Sequence, residues 1–145
     1  MNGRYSSGME PYIHKINYYE TDKMSITHHS NYIRFMEEAR LDFMEQLGWG
    51  YDKMEAVGIA SPVVSVTCNY KKTTTFPDVL SIFVAVQKCT AVKLVLGYVM
   101  KCNDVVVCTA ESSHCFLSPD GHPVILEKKF PEFYAKLKDL ESEHL

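Results

Sequence analysis

Two hydrophobic periods divide the chain. Between residues 29 and 47 apolar side chains return every third or fourth position. Tyr32, Phe35, Met36, Ala39, Phe43 and Leu47 form one stripe, with Arg34, Glu37, Glu38, Asp42 and Glu45 on the other side. That spacing predicts an amphipathic helix with one buried face. Gly48 follows the last apolar position and suits a helix stop. Arg34 and Glu38 stand four apart and make a candidate ion pair, in the less favourable order. Beyond residue 62 the period falls to two. Val64, Val66, Cys68 and Tyr70 form one such row, and Leu80, Ile82, Val84 and Val86 the next. Val92, Leu94, Leu96, Tyr98 and Met100 form a third. Val106, Cys108, Ala110, His114 and Phe116 form a fourth, broken by Ser112. Alternation of this kind predicts antiparallel strands with one face buried.

The flanks add smaller elements. Residues 11–20 alternate loosely and suggest a first strand, preceded by a flexible tail at 1–9. Phe76-Pro77-Asp78, Asn103-Asp104 and Pro119-Asp120-Gly121 are turn signals. A brief strand is expected at 122–126 and a terminal helix at 131–140, opened by Pro131. The order is strand, long helix, then a meander of four strands. This predicts a single α+β domain over residues 1–145, with one curved antiparallel sheet wrapped around a long central helix. A single sheet leaves edges to protect, so a homodimer or homotetramer is expected.

Composition narrows the partners. The net charge of −3 gives no general attraction to nucleic acid or anionic membrane. No apolar run approaches the roughly 18 residues of a membrane span, and the first twelve residues lack the apolar core of a secretory signal. A cytoplasmic location is expected. The five cysteines are odd in number, form no CxxC and fall in strand-like segments. They read as reduced core cysteines.

The stretch Tyr18 to Arg40, YYETDKMSITHHSNYIRFMEEAR, carries the candidate chemistry. A lone carboxylate, Asp22, precedes the long helix, and His28, His29, Ser30 and Asn31 lie at its mouth. A helix N-terminus offers unpaired N–H groups and a partial positive charge. That end can hold a developing oxyanion while a nearby carboxylate attacks or activates water. The arrangement suggests hydrolysis of an activated acyl group.

These residues resemble hotdog-fold acyl-CoA thioesterases of the 4-hydroxybenzoyl-CoA thioesterase type, and the similar bacterial enzymes linked to the Tol–Pal system. The motif is Y-x-E-T-D, a short loop, then H-H-x-N-Y, present as Tyr18, Glu20, Thr21, Asp22, His28, His29, Asn31 and Tyr32. FMEEAR and YKKTTTFPDVLSI, with Asp78 entering a strand, extend the likeness over roughly residues 12–138. The resemblance implies that Asp22 is the nucleophile or general base and that the His29 N–H polarises the thioester carbonyl. It implies that the His29 imidazole and the Tyr18 hydroxyl position Asp22 or the substrate. It also implies a site completed by a partner subunit. The family often has Gly three residues after the aspartate, where this chain has Ser25. Ser fits there if the position needs no positive φ.

Each candidate has a plainer alternative. Asp22 is also a common turn or capping residue, although it precedes the helix by too much for a simple N-cap. His28 and His29 would diverge by about 100° on a helix, which disfavours a shared metal. Ser30 and Asn31 read as caps. Ser112, Ser113 and His114 lack a nucleophile elbow, and strand neighbours face opposite sides. No cysteine has surroundings that would lower its pKa. Coenzyme A phosphates need surface cations. Lys88 and Lys93 fall where related enzymes carry a basic run, and Lys71-Lys72 and Lys128-Lys129 are also available. Met24, Met36, Tyr32, Phe35, Trp49 and Tyr51 are candidates for pocket or core. No metal or redox cofactor is expected, coenzyme A entering only with the substrate. Two alternatives are a non-catalytic acyl-CoA-binding hotdog module and a hotdog acyl-carrier-protein dehydratase. The latter usually shows a histidine in an HFPG-like loop, which does not occur here.

Overall fold

The computed structural model describes residues 9–141. The expected tail therefore lies outside the described residues, apart from Met9. The long stripe folds as α1, Asn31–Gln46, 16 residues or about 24 Å at 1.5 Å per residue. Tyr32, Phe35, Met36, Ala39, Phe43 and Leu47 are all buried. Gly48 ends the helix at φ 85°, a left-handed conformation that costs glycine little. Glu38 does not pair with Arg34. It accepts a hydrogen bond from Tyr12 Oη at 2.7 Å and lies 3.6 Å from His14 Nδ1. Both neighbours come from β1, Tyr12–Lys15, which runs beside α1.

The remaining strands are β2 (Val63–Tyr70), β3 (Val79–Cys89), β4 (Leu94–Cys102) and β5 (Val105–His114). The sheet order is β1-β3-β4-β5-β2, with every pairing antiparallel. This corrects the expected four-strand meander. Only β3, β4 and β5 follow one another, and β2 lies on the far side of β5. Tight turns force β3–β4 and β4–β5 pairing, and Asn103 and Asp104 both take positive φ, 51° and 64°, as a two-residue hairpin requires. Residues 71–78 are long enough to cross from one side of the sheet to the other. On the way they pass the mouth of α1.

Three local expectations change. The first strand ends at Lys15, and Tyr18–Glu20 form a 3-10 turn, because the Glu20 carboxylate draws back onto the Asn17 N–H at 2.7 Å. Residues 122–126 form no strand. Pro123, which has no N–H for a ladder, makes one bridge to Leu117, and Leu126 opens a short helix, α3 (Leu126–Lys129). A helix not foreseen, α2 (Tyr51–Val57), buries only Met54, too little for a periodic signal. The terminal helix α4 spans Pro131–Leu140 as expected, with Phe133 and Leu137 buried.

The core lies between α1 and the inner face of the sheet, where Leu80, Ile82, Leu96, Tyr98 and Met100 are buried. Each such side chain contributes roughly 1.5–3 kcal/mol by leaving water. Strand β4 is buried on both faces, since Val99 packs outward against Ala85, Phe83 and Val106. Trp49 is core, its ring stacked on Phe133 at 4.6 Å. At the sheet edge β2 leaves Val63 and Val64 exposed. All five cysteines are free, Cys89 and Cys108 buried and the others half-buried. Among the described residues no helix is long and apolar enough to cross a membrane.

Candidate active site

The mouth of α1 is built by two buried polar clamps. The first centres on Glu20, only 4% exposed. Its Oε1 accepts the Asn17 N–H and meets His14 Nε2 at 3.0 Å, while its carbonyl accepts the His28 N–H at 2.8 Å and Asn31 Nδ2 at 2.9 Å. One residue thereby joins the 3-10 turn to the start of the helix. The second centres on Thr74 in the crossing segment. Its carbonyl accepts the Thr27 N–H at 2.8 Å, and its hydroxyl meets those of Thr27 and Tyr32 at 2.7 and 2.8 Å. Buried, satisfied polar groups of this kind fix geometry.

Between the clamps, residues 21–27 form a small closed loop, bridged by Thr21 and Thr27. Asp22 sits in it, half-buried. Its N–H donates to the Ile26 carbonyl at 2.9 Å, and its Oδ1 accepts the Met24 N–H at 2.8 Å. Its Oδ2 takes no hydrogen bond among the described residues. Ser25 occupies φ 64°. The position does need a positive φ, so serine carries strain that glycine would not. The Ser25 carbonyl accepts Thr75 Oγ1, which holds the loop against the crossing segment.

At the helix end, Asn31 N–H bonds the His28 carbonyl and Tyr32 N–H the His29 carbonyl. These bonds leave the His29 N–H unspent among the main-chain bonds of the described residues. The first turn of α1 contains no acidic residue, so no carboxylate of its own offsets the positive end. Ser30 is the N-cap residue but makes no side-chain cap bond. Its hydroxyl instead meets His28 Nδ1 at 2.8 Å. Asn31 does not cap either, since its amide is spent on Glu20. The two imidazoles do not diverge. His28 and His29 precede the helical repeat, and their rings stack at 4.3 Å. Among the described residues no group of three or more His, Cys, Asp or Glu side chains has the placement to hold a metal ion.

The other named residues are spread more widely. Tyr18 is 77% exposed and leans edge-on against Phe76 at 5.9 Å. The His29 ring is exposed and faces the edge of Tyr70, whose hydroxyl donates to the His29 carbonyl at 3.2 Å. Tyr18, Asp22 and His29 share the mouth without hydrogen-bonding one another among the described residues. Lys88 and Lys93 lie at the hairpin end of β3, whereas Asp78, at the start of β3, belongs to the segment that touches the Asp22 loop. Ten residues of strand separate the two ends, about 34 Å. Lys71 and Lys72, at the end of β2, enter the crossing segment and lie nearer. Sequence reasoning passed over Thr74 and His14. The threonine run before Phe76-Pro77 and a histidine on the Tyr12 face of β1 were the available signals.

The structure also joins a pair that sequence reasoning kept apart. Ser112 and His114 are two apart on β5 and so share a face. Ser112 Oγ meets His114 Nε2 at 2.7 Å and Tyr98 Oη at 2.7 Å. All three side chains are buried, and burial lowers the His114 pKa to about 4. Cys68, half-buried and close to Cys108 across β2 and β5, has its pKa lowered to about 7 by a hydrogen bond from the Cys108 thiol.

Comparison with known proteins decides the family. A family model described as the thioesterase-like superfamily matches residues 16–138. The chain belongs to that superfamily. A Bacillus subtilis (strain 168) protein named "Putative acyl-CoA thioesterase YneP" is 31% identical over 83% of this chain and 89% of its own. The crystal structure of a DHNA-CoA thioesterase from Staphylococcus aureus is 30% identical, with a TM-score of 0.85 over 90% of this chain and 89% of that one. A hypothetical protein of Aquifex aeolicus, AQ1494, is 31% identical with a TM-score of 0.79, covering 83% of this chain and 95% of that one. The fold is accordingly the hotdog fold, and the thioesterase is a thioester hydrolase.

Proposed function

We propose that this one hotdog domain hydrolyses acyl-CoA thioesters to a free acid and coenzyme A, with Asp22 as the reacting carboxylate. The observation that carries the reading is a carboxylate with one oxygen tied to its loop and the other unspent. It stands beside a helix end that also has an unspent N–H. The His29 N–H would take the thioester oxygen as charge develops on it. Asp22 would either accept a proton from water as that water attacks, or attack the carbonyl itself and form an anhydride that water then opens. In both routes the C–S bond breaks and the coenzyme A thiolate leaves, a good leaving group that needs no strong acid. Neither route calls on a metal or redox cofactor. The exposed Tyr18 hydroxyl and His29 imidazole, at the rim, would position the substrate.

The mouth is rimmed by exposed apolar side chains, with Tyr18 77%, Tyr19 80% and Met24 75% accessible. A patch of this kind is what an interface covers, and a second or fourth copy of the chain is the proposed cover. Lys88 and Lys93 would then reach the coenzyme A phosphates only from a partner subunit, whereas Lys71 and Lys72 would reach them within the same chain. Five free thiols fit a cytoplasmic setting. Release of free thiol from a panel of aromatic, short-chain and long-chain acyl-CoAs tests the reading. Hydrolysis of at least one class is expected, and inertness toward all of them would overturn it.

A further inference from the structure

Three sulfur atoms meet between α1 and the β2 edge of the sheet. Cys68 of β2 stands opposite Ala110 of β5, and Tyr70 stands opposite Cys108. With a side-chain period of two, Cys68 and Cys108 are diagonal neighbours on one face, the face that packs into the core. Their thiols are close enough to share a hydrogen bond. Met36 reaches down from α1 and places its Sδ 3.5 Å from Cys68 Sγ. Cys108 and Met36 are buried, and Cys68 is half-buried. The small cavity between α1 and β2, about 40 Å³ and lined by Met36 and Val66, gives a way in.

The two thiols meet, yet their strand positions do not suit a disulfide. Diagonal residues of an antiparallel pair hold their Cα atoms about 7–8 Å apart, whereas a disulfide needs about 4.4–6.8 Å. A shared ion suits the spacing better. Metal–sulfur bonds of about 2.3 Å around one three-coordinate ion set the sulfurs about 4 Å apart. The 3.5 Å between Met36 Sδ and Cys68 Sγ reaches that with a movement of about half an ångström. Thiolate and thioether are soft donors and select Cu(I) over hard divalent ions. Zinc favours four ligands drawn from thiolate, imidazole and carboxylate. A metal takes the thiolate form, and the lowered pKa of Cys68, about 7, makes that form accessible. We infer that Cys68, Cys108 and Met36 form a three-sulfur site for the soft monovalent ion Cu(I). Binding displaces the thiol protons and puts the ion in place of the thiol–thiol hydrogen bond. A thioether is the third donor, so the site needs no His, Asp or Glu. The ion would tie α1 to β2 one turn beyond Tyr32 and two residues before Tyr70, whose hydroxyl holds the His29 carbonyl. The site does not depend on the catalytic role given to Asp22.

Anaerobic competition for Cu(I) against the chelator bicinchoninate tests the site, on reduced wild type, Cys68→Ser, Met36→Leu and Cys115→Ser, with circular dichroism checking that each is folded. Wild type is expected to take one equivalent of Cu(I) from the chelator. Cys68→Ser should weaken retention roughly a hundredfold and Met36→Leu roughly tenfold, as the loss of a thiolate and of a thioether ligand implies. Cys115→Ser, which removes another half-buried thiol, should bind as wild type does. X-ray absorption at the copper edge should show three sulfur neighbours at about 2.3 Å and no nitrogen. Failure to take Cu(I) from the chelator, equal affinity in wild type and Cys68→Ser, or equal affinity in wild type and Met36→Leu would overturn the inference. So would a loss in Cys115→Ser as large as in Cys68→Ser, or a copper edge with nitrogen ligands.

Discussion

Replacing His114 by Gln should flatten the acid limb of this protein's stability. His114 is fully buried, and burial, with Arg40 adding repulsion, lowers its pKa from 6.5 to about 4. The folded protein therefore holds the imidazole neutral at pH values where the unfolded chain protonates it. A base depressed on folding binds more protons in the unfolded state, so stability falls as pH drops through the window from 6.5 to about 4 and levels off below. Taking those two values, the loss between pH 7.5 and pH 5 is about 2 kcal/mol. Gln fills similar space, keeps an amide for Ser112 Oγ and does not titrate. Each protein serves as its own reference at pH 7.5, so the pH-independent cost of the substitution cancels. Urea unfolding of both proteins at the two pH values supplies the numbers. Wild type should lose about 2 kcal/mol more than His114→Gln. Equal losses would show that His114 protonates in the folded state as easily as in the unfolded one, and the account of its burial would be wrong.

Two further substitutions probe the helix mouth. Ser25→Gly should relieve the left-handed strain at φ 64°, a gain of about 0.5–1 kcal/mol after glycine's extra freedom in the unfolded chain is counted. A melting temperature that falls would contradict this. Glu20→Ala should cost about 1–3 kcal/mol, because it leaves the buried His14 and the half-buried Asn17 N–H without an acceptor. It should also lower kcat by misplacing the Asp22 loop, and unchanged turnover at full folding would show that the clamp does not position the site.

Much of this arrangement is legible in the chain because it is local. The α1 stripe, the Gly48 stop, the Asn103-Asp104 hairpin and the Pro131 start each depend on neighbours a few residues away. The motif around Asp22 is equally compact. What escaped depends on distant partners. The pairing of β2 with β5 rather than β3 is a long-range choice that alternation does not encode. Ser112 looked like a defect in an apolar row, yet it is the middle of a buried chain from Tyr98 to His114. Glu20 looked like a motif letter, and only His14, six residues earlier, shows why an acid is buried there. Ser25 illustrates the reverse case: the residue type argued for ordinary backbone, and the closed loop imposes positive φ.

Thiol release by Asp22→Asn, measured on a good acyl-CoA substrate beside the wild type, tests the central claim most directly. Asn keeps the shape of the loop and the acceptor for the Met24 N–H, and removes only the charge. The account predicts an unchanged melting temperature and unchanged assembly, with turnover reduced at least a hundredfold, as the loss of a proton acceptor or nucleophile implies. A folded variant that turns over at the wild-type rate would contradict it.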